Sequence, residues 1–163
     1  MGKAALKKWL IIASILVLCL IGFVGGAYIK ALQPKKEAGN AAFKKAREEA
    51  GLRSMDEFYL YNGQDSYSVI IGKGEKGIKK VVWLPEDKKK KIVVEDYKDG
   101  KTKKEILSIA KEKLNPEKII SVKLGMEKNV PLWEVTYLDD SERFNYDYYD
   151  FKTGEWLKYY RSI

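Results

Sequence analysis

Residues 10–29 form a run of 20 positions without a charge, and beyond it the chain breaks into short apolar stretches set between turns. At about 1.5 Å per residue such a run predicts a helix roughly 30 Å long, matching the hydrocarbon thickness of a bilayer. Residues 35–52 predict a further helix: Phe43, Ala46 and Ala50 recur at helical spacing with Ala42 beside them, Lys44, Lys45, Glu48 and Glu49 take the other face, and Gly51 is the stop. The period then changes to two. Tyr67, Val69 and Ile71 face one way and Ser68 the other, Gly72, Gly74 and Gly77 mark a turn, Val81-Val82-Trp83-Leu84 reads as a strand, Pro85-Glu86-Asp87-Lys88 as a turn and Ile92-Val93-Val94 as a short strand.

Asp99-Gly100 punctuates the chain, and Thr102 opens another helix. Glu105 three residues on fits a capping box, Ile106, Ile109, Ala110 and Leu114 form the apolar face, and Asn115-Pro116 ends it. Strands follow at 119–124, at 133–137 (Trp133, Val135 and Tyr137 alternating with Glu134 and Thr136, a half-buried pattern), at 144–151 and at 156–160, with turns at Asp139-Asp140-Ser141 and Thr153-Gly154. The order repeats. Tyr67-Ser68-Val69-Ile70-Ile71 corresponds to Trp133-Glu134-Val135-Thr136-Tyr137 at an offset of 66, and the closing hairpins lie near the same offset. The expected class is therefore α+β: an N-terminal transmembrane helix followed by two tandem modules, each one helix packed on an antiparallel sheet. The expected divisions are a cytoplasmic tail at 1–8, the transmembrane helix at 9–30, a first module at 35–98 and a second at 99–163. Modules of this size are small for independent stability, so the two should pack together.

Charge refines the membrane reading. The formal net charge is +8, and half of it comes from Lys3, Lys7, Lys8 and Lys30 in the first 34 residues, which hold no acid. Basic flanks suit a membrane helix, and the remaining excess is too weak to argue for nucleic acid. A cleaved signal peptide has the same basic start, with Gly25-Gly26-Ala27 as the small-residue site. The length of the run and the aromatic ends, Trp9 and Tyr28, favour an uncleaved anchor. A short leading tail and a long C-terminal part place the N-terminus inside and the modules outside. Leu16-Val17-Leu18 before Cys19 lacks the small residues of a lipidation site.

Catalytic and metal chemistry has little to draw on. There is no histidine, and Cys19, inside the apolar run, is the one cysteine. That removes the commonest general base and metal ligand and excludes a disulfide framework. No cofactor and no metal are expected. An enzyme would need carboxylates, lysine, serine or tyrosine in a cleft, and no pair stands out. The acids Asp139, Asp140, Glu142, Asp147 and Asp150 match no calcium loop and read as a solvated turn and strand edge. Lys88-Lys89-Lys90-Lys91 reads as a solvated hairpin, with contact to anionic lipid or wall polymer as the functional alternative. Gly72-x-Gly74-x-x-Gly77 lies between strands and is a loop rather than a dinucleotide fingerprint.

The richest signal is an aromatic band: Phe144, Tyr146, Tyr148, Tyr149, Phe151, Trp156, Tyr159 and Tyr160. Aromatics favour strands and cores, and tyrosine and tryptophan also favour binding surfaces. Core packing is the leading reading for the band as a whole. Tyr146, Tyr148, Tyr149, Trp156, Tyr159 and Tyr160 are the candidate partner surface, to the extent that they face outward. Tyr148 and Tyr149 are adjacent, so one must point away from the other's face unless a bulge intervenes.

The closing motif Asp150-Phe151-Lys152-Thr153-Gly154-Glu155, after a helix and an antiparallel sheet, resembles the PepSY domain; the first half departs from it at Pro85-Glu86-Asp87-Lys88. Over nearly its full length, the chain resembles the YpmB/TseB family of Bacillus-type bacteria. The features are the basic tail, the single membrane helix, the Lys-Glu-rich helix, Val82-Trp83-Leu84-Pro85 and Leu132-Trp133-Glu134-Val135-Thr136-Tyr137-Leu138-Asp139. That resemblance implies a single-pass membrane protein with a duplicated PepSY-like module outside the cell. It implies a regulator of cell wall elongation that binds a class B penicillin-binding protein, a transpeptidase. It supplies no catalytic residues. PepSY segments in protease propeptides suggest the alternative of an inhibitor or folding aid for an extracellular protease.

Overall fold

The computed structural model describes residues 2–162. The fold is mixed α+β, with one long N-terminal helix and two antiparallel sheets. Helix α1 runs over Lys3–Ala50 and contains Pro34. The expected break between an apolar helix and a second helix starting at residue 35 does not occur. Lys30 to Gln33 are good helix formers, and Pro34 is carried within the helix although it loses its own amide hydrogen bond and crowds the carbonyl one turn before it. The chain divides into a unit of residues 1–40 and a unit of residues 41–163.

In the first unit every side chain from Ile12 to Tyr28 is exposed. A soluble protein does not present so long an apolar surface to water. The helix fits membrane anchoring or a signal sequence.

The second unit begins with the last turns of α1. Gly51, at φ +68, stops the helix as expected. Strands β1 (Glu57–Asn62), β2 (Ser66–Lys73), β3 (Lys79–Pro85) and β4 (Val93–Asp96) pair in sequence order as an antiparallel meander. The β2–β3 turn is a 3-10 turn at Glu75–Gly77, and Gly72 lies inside β2 rather than in the turn. Helix α2 covers Lys103–Leu114. Its capping box forms in full: Thr102 Oγ1 accepts from the Glu105 amide at 3.2 Å, and Glu105 Oε2 accepts from the Thr102 amide at 2.8 Å. Strands β5 (Lys118–Glu127), β6 (Val130–Leu138), β7 (Phe144–Asp150) and β8 (Trp156–Arg161) form the second meander.

Two clusters hold this unit together. Ala42 and Ala46 of α1 pack with Leu52, Ile70, Val82 and Leu84 on one face of the first sheet. On its other face, Tyr61, Tyr67, Val69, Ile71, Val81 and Trp83 share one core with Ile106 and Ala110 of α2 and with Leu124, Trp133, Val135 and Tyr149 of the second sheet. The first sheet is therefore buried on both faces. This explains the unbroken apolar stretches Ile70-Ile71 and Val81-Val82-Trp83-Leu84, which a one-sided sheet would have interrupted with polar residues. Strand β6 departs from the half-buried expectation: Glu134 and Thr136 are also buried. Their lateral neighbours close over them, Lys123 pairing with Glu134 at 2.9 Å and Ser121 donating to Thr136 Oγ1 at 3.1 Å.

Candidate interaction surface

The aromatic band lies on the β7–β8 hairpin, and the hairpin is set by its turn. Asp150 Oδ1 accepts the amides of Lys152 and Thr153, both at 2.8 Å, Thr153 Oγ1 accepts the Glu155 amide at 3.1 Å, and Gly154 takes φ +74. Phe151 is fully buried and meets Trp83 edge-on, with ring centroids 5.3 Å apart. The motif Asp150 to Glu155 thus both turns the chain and drives an aromatic wedge into the shared core.

Register divides the candidate residues. Tyr149 lies opposite Trp133 and Trp156, whereas Tyr148 lies opposite Glu134 and Lys158. The two tyrosines point to opposite faces, and the irregularity sits on β8, where Leu157 is the extra residue. Both faces are covered at β7, so Tyr149 is 0% and Tyr148 5% exposed. Their side chains therefore lie inside the fold rather than on its surface. Tyr146 is half-buried. Strand β8 is the outer strand of its sheet, and its residues Trp156, Tyr159 and Tyr160 are 46%, 52% and 53% exposed.

The exposed aromatics stand on two buried polar supports. On one face, Asp147 is fully buried and accepts from Tyr137 Oη at 3.1 Å, Trp156 Nε1 at 2.7 Å and Arg161 Nη1 at 2.6 Å. The Arg161 guanidinium lies 4.2 Å from the Tyr159 ring centroid, and the Trp156 and Tyr159 rings are 5.7 Å apart. Burial, and then the Asp147 charge, push the Tyr149 hydroxyl up to about 12, and burial with the same charge does likewise for Tyr137. On the other face, Lys158 pairs with Glu127 and lies 4.5 Å and 4.8 Å from the centroids of Tyr148 and Tyr160. Tyr61 donates to Glu127 Oε1 at 2.7 Å, and its hydroxyl is held far above the usual range by burial first and by Glu127 second.

The acidic cluster is dispersed. Asp139 caps the β6–β7 turn, accepting the amides of Ser141 and Arg143 at 3.0 Å each, and the Arg143 amide is the leading cause of its lowered pKa. Asp147 is a core hub and Asp150 a turn cap. Among the described residues no group of histidine, cysteine, aspartate or glutamate is arranged to hold a metal ion. In the lysine run, Lys90 pairs with Asp65. Sequence reasoning missed β1 and with it Tyr61. The alternation Phe58-Tyr59-Leu60-Tyr61, placed 66 residues before the end of β5, was the available signal.

Comparison with known proteins places this architecture. A family model described as cell wall elongation regulator TseB-like domain matches residues 41–85, and one described as peptidase propeptide and YPEB domain, PepSY, matches residues 100–160. The curated protein "Probable cell wall elongation regulator TseB" of Bacillus subtilis (strain 168) is 35% identical over 148 residues, covering 91% of this chain and 92% of its own. The chain belongs to the TseB family. The solved structure of the YpmB protein from Bacillus subtilis superposes with a TM-score of 0.70 at 36% identity, over 76% of this chain and 96% of that one. In this TseB-family chain the first family match covers the end of α1 through β3, and the second covers α2 and the second sheet up to, but not including, the last residue of β8.

Proposed function

We propose that the chain is a non-enzymatic, membrane-anchored regulator of cell wall elongation that works by binding a class B penicillin-binding protein outside the cell. The observation that carries this reading is the 35% identity, over nearly the full length of both chains, to a protein named as a probable cell wall elongation regulator. The exposed run of α1 supplies the single membrane pass, with residues 1–8 inside and the two sheet modules outside. Trp156, Tyr159 and Tyr160 supply the contact surface, being large, rigid and exposed on an outer strand. The test is photo-crosslinking in cells from these three positions, followed by detergent extraction. A transpeptidase is the expected adduct. Capture of no transpeptidase from any of the three, with the protein at its native level, overturns the reading.

The PepSY match over residues 100–160 favours a second reading, an inhibitor or folding aid for an extracellular protease. The fragment from Ala41 onward then inhibits, or speeds the maturation of, a secreted protease. Absence of both effects across the secreted proteases of the source organism removes it.

A further inference from the structure

The face of the second sheet that carries Glu127 and Lys158 opens into a groove of about 310 Å³. Its apolar part is built from Leu132 and Val130 of β6 and from Leu157 and the Tyr160 ring of β8. Leu157 is the extra residue at the β8 irregularity, which gives this groove an apolar side chain in addition to the regular alternation of the strand. The polar end is formed by Glu127, Lys128, Lys158 and Gln64.

The charges there do not cancel. Both oxygens of Glu127 are engaged, Oε1 by Tyr61 and Oε2 by Lys158, so that carboxylate is satisfied and its charge is matched. Among the described residues, Lys128 and Gln64 have no hydrogen-bond or ion-pair partner. The groove therefore keeps one uncompensated positive charge and one free amide beside an apolar floor. The turn places Lys128 at the rim of the groove. Lys128 and Asn129 are both left-handed, at φ 48 and φ 65, the geometry of a tight two-residue hairpin turn. Glycine or asparagine would adopt the Lys128 conformation more cheaply than lysine does.

We propose that this groove binds an acidic, apolar peptide segment of a partner protein. One carboxylate pairs with Lys128 and accepts from the Gln64 amide, and a neighbouring apolar side chain lies over Val130, Leu132 and Leu157. The inference rests on the reading that the module binds a protein, and it names the chemistry of the recognised segment.

Two rhodamine-labelled hexapeptides test it with the full chain in detergent micelles, one alternating valine with glutamate and one alternating valine with lysine. The acidic probe raises anisotropy saturably and the basic probe does not. Lys128→Gln weakens the acidic probe severalfold and Lys128→Glu by about fivefold or more, the latter also shifting preference toward the basic probe. Leu157→Asp weakens the acidic probe through repulsion and loss of the floor. Far-ultraviolet circular dichroism confirms that each variant is folded. Equal binding of both probes, an unchanged acidic affinity in Lys128→Glu, or displacement of the acidic probe by millimolar inorganic phosphate overturns the proposal, the last by reassigning the site to small anions.

A photo-crosslinker at Gln64 separates this inference from the functional reading. Transpeptidase captured there without acidic-probe binding overturns the groove chemistry and leaves the regulator reading standing. Acidic-probe binding without transpeptidase capture at Gln64, Trp156, Tyr159 or Tyr160 supports the groove and overturns the choice of partner.

Discussion

Tyr61 donates a 2.7 Å hydrogen bond to Glu127, and the two residues are separated by 66 positions, the offset of the internal repeat. Equivalent positions of the two halves thus meet each other, and the first sheet is tied to the second through a buried pair. Tyr61 is fully buried and Glu127 nearly so. Tyr61→Phe keeps the ring and removes the donor, leaving one carboxylate oxygen without its partner. The expected cost is about 1–2 kcal/mol, read as a lower urea midpoint with an unchanged slope.

Gly125 marks a second close approach between the sheets. Its carbonyl accepts from Trp83 Nε1 at 2.8 Å, and a Cβ built on it would stand 2.2 Å from the Tyr61 ring. Tyr61 is enclosed by the shared core and cannot retreat. Gly125→Ala should therefore destabilise the unit by about 3 kcal/mol. One continuous core also predicts one transition. Amide exchange in β2 and in β6 should report the same opening free energy in the wild type, and the variant should lower both by the same amount. A drop confined to β6 would show that the sheets open separately.

Asp147 has a different task, because it fastens the outer strand. Three donors from Tyr137, Trp156 and Arg161 converge on it. Asp147→Asn removes the charge that Arg161 faces and turns one acceptor oxygen into a donor. A loss of about 2 kcal/mol is expected, less than for a fully buried pair because Arg161 is partly exposed. The effect should concentrate on β8: its amides exchange faster and Trp156 fluorescence shifts, while β6 keeps its protection. In a double-mutant cycle, Asp147→Asn and Arg161→Ala should couple by about 1 kcal/mol or more.

These relationships divide into those a sequence exposes and those it conceals. The α2 capping box was legible because its partners, Thr102 and Glu105, lie three residues apart and need nothing else. The strands other than β1, and the repeat, were legible from alternation and turn residues. Burial of Glu134 and Tyr148 was not, because it depends on which strands neighbour β6 and β7. The aromatic band showed the same limit. Tyr149 and Tyr159 are equivalent to any propensity scale, and only the strand order makes one core and the other surface. Strand β1 escaped because its aromatics serve both faces, Phe58 against the α1 side and Tyr59 and Tyr61 against the shared core.

The capping box also sets a pH dependence. Glu105 is lowered from 4.5 to about 2, chiefly by the Thr102 amide, then by the Thr102 hydroxyl and by Lys101. A carboxylate with a depressed folded pKa stabilises the fold above its unfolded value, and that contribution fades as pH falls toward the folded value. The stability difference between wild type and Glu105→Gln should be full above 4.5 and shrink as pH approaches about 2. Urea midpoints measured across that window give the comparison directly. A difference that stays constant with pH would assign the effect to side-chain packing instead of charge.

The outer strand β8, with Trp156 and Tyr159 on one face and Tyr160 on the other, separates binding from folding. Trp156, Tyr159 and Tyr160 are each about half exposed, so truncating any of them forfeits less burial than truncating a core aromatic. Tyr160→Ala should cost less than about 1 kcal/mol of stability, whereas Tyr149→Ala, at a fully buried position, should cost about 3–5 kcal/mol. Binding energy at interfaces concentrates in a few aromatic and arginine positions. If β8 is the contact strand, Tyr159→Ala and Tyr160→Ala abolish co-purification of the partner at unchanged protein levels in the membrane. Tyr149→Ala instead lowers the level of the protein itself. Trp156 falls between the two, since its indole N–H also supports Asp147. Trp156→Phe should therefore weaken stability and partner recovery together, while Tyr160→Ala moves only the second. Undiminished recovery with all three positions replaced would place the contact on another face of the module.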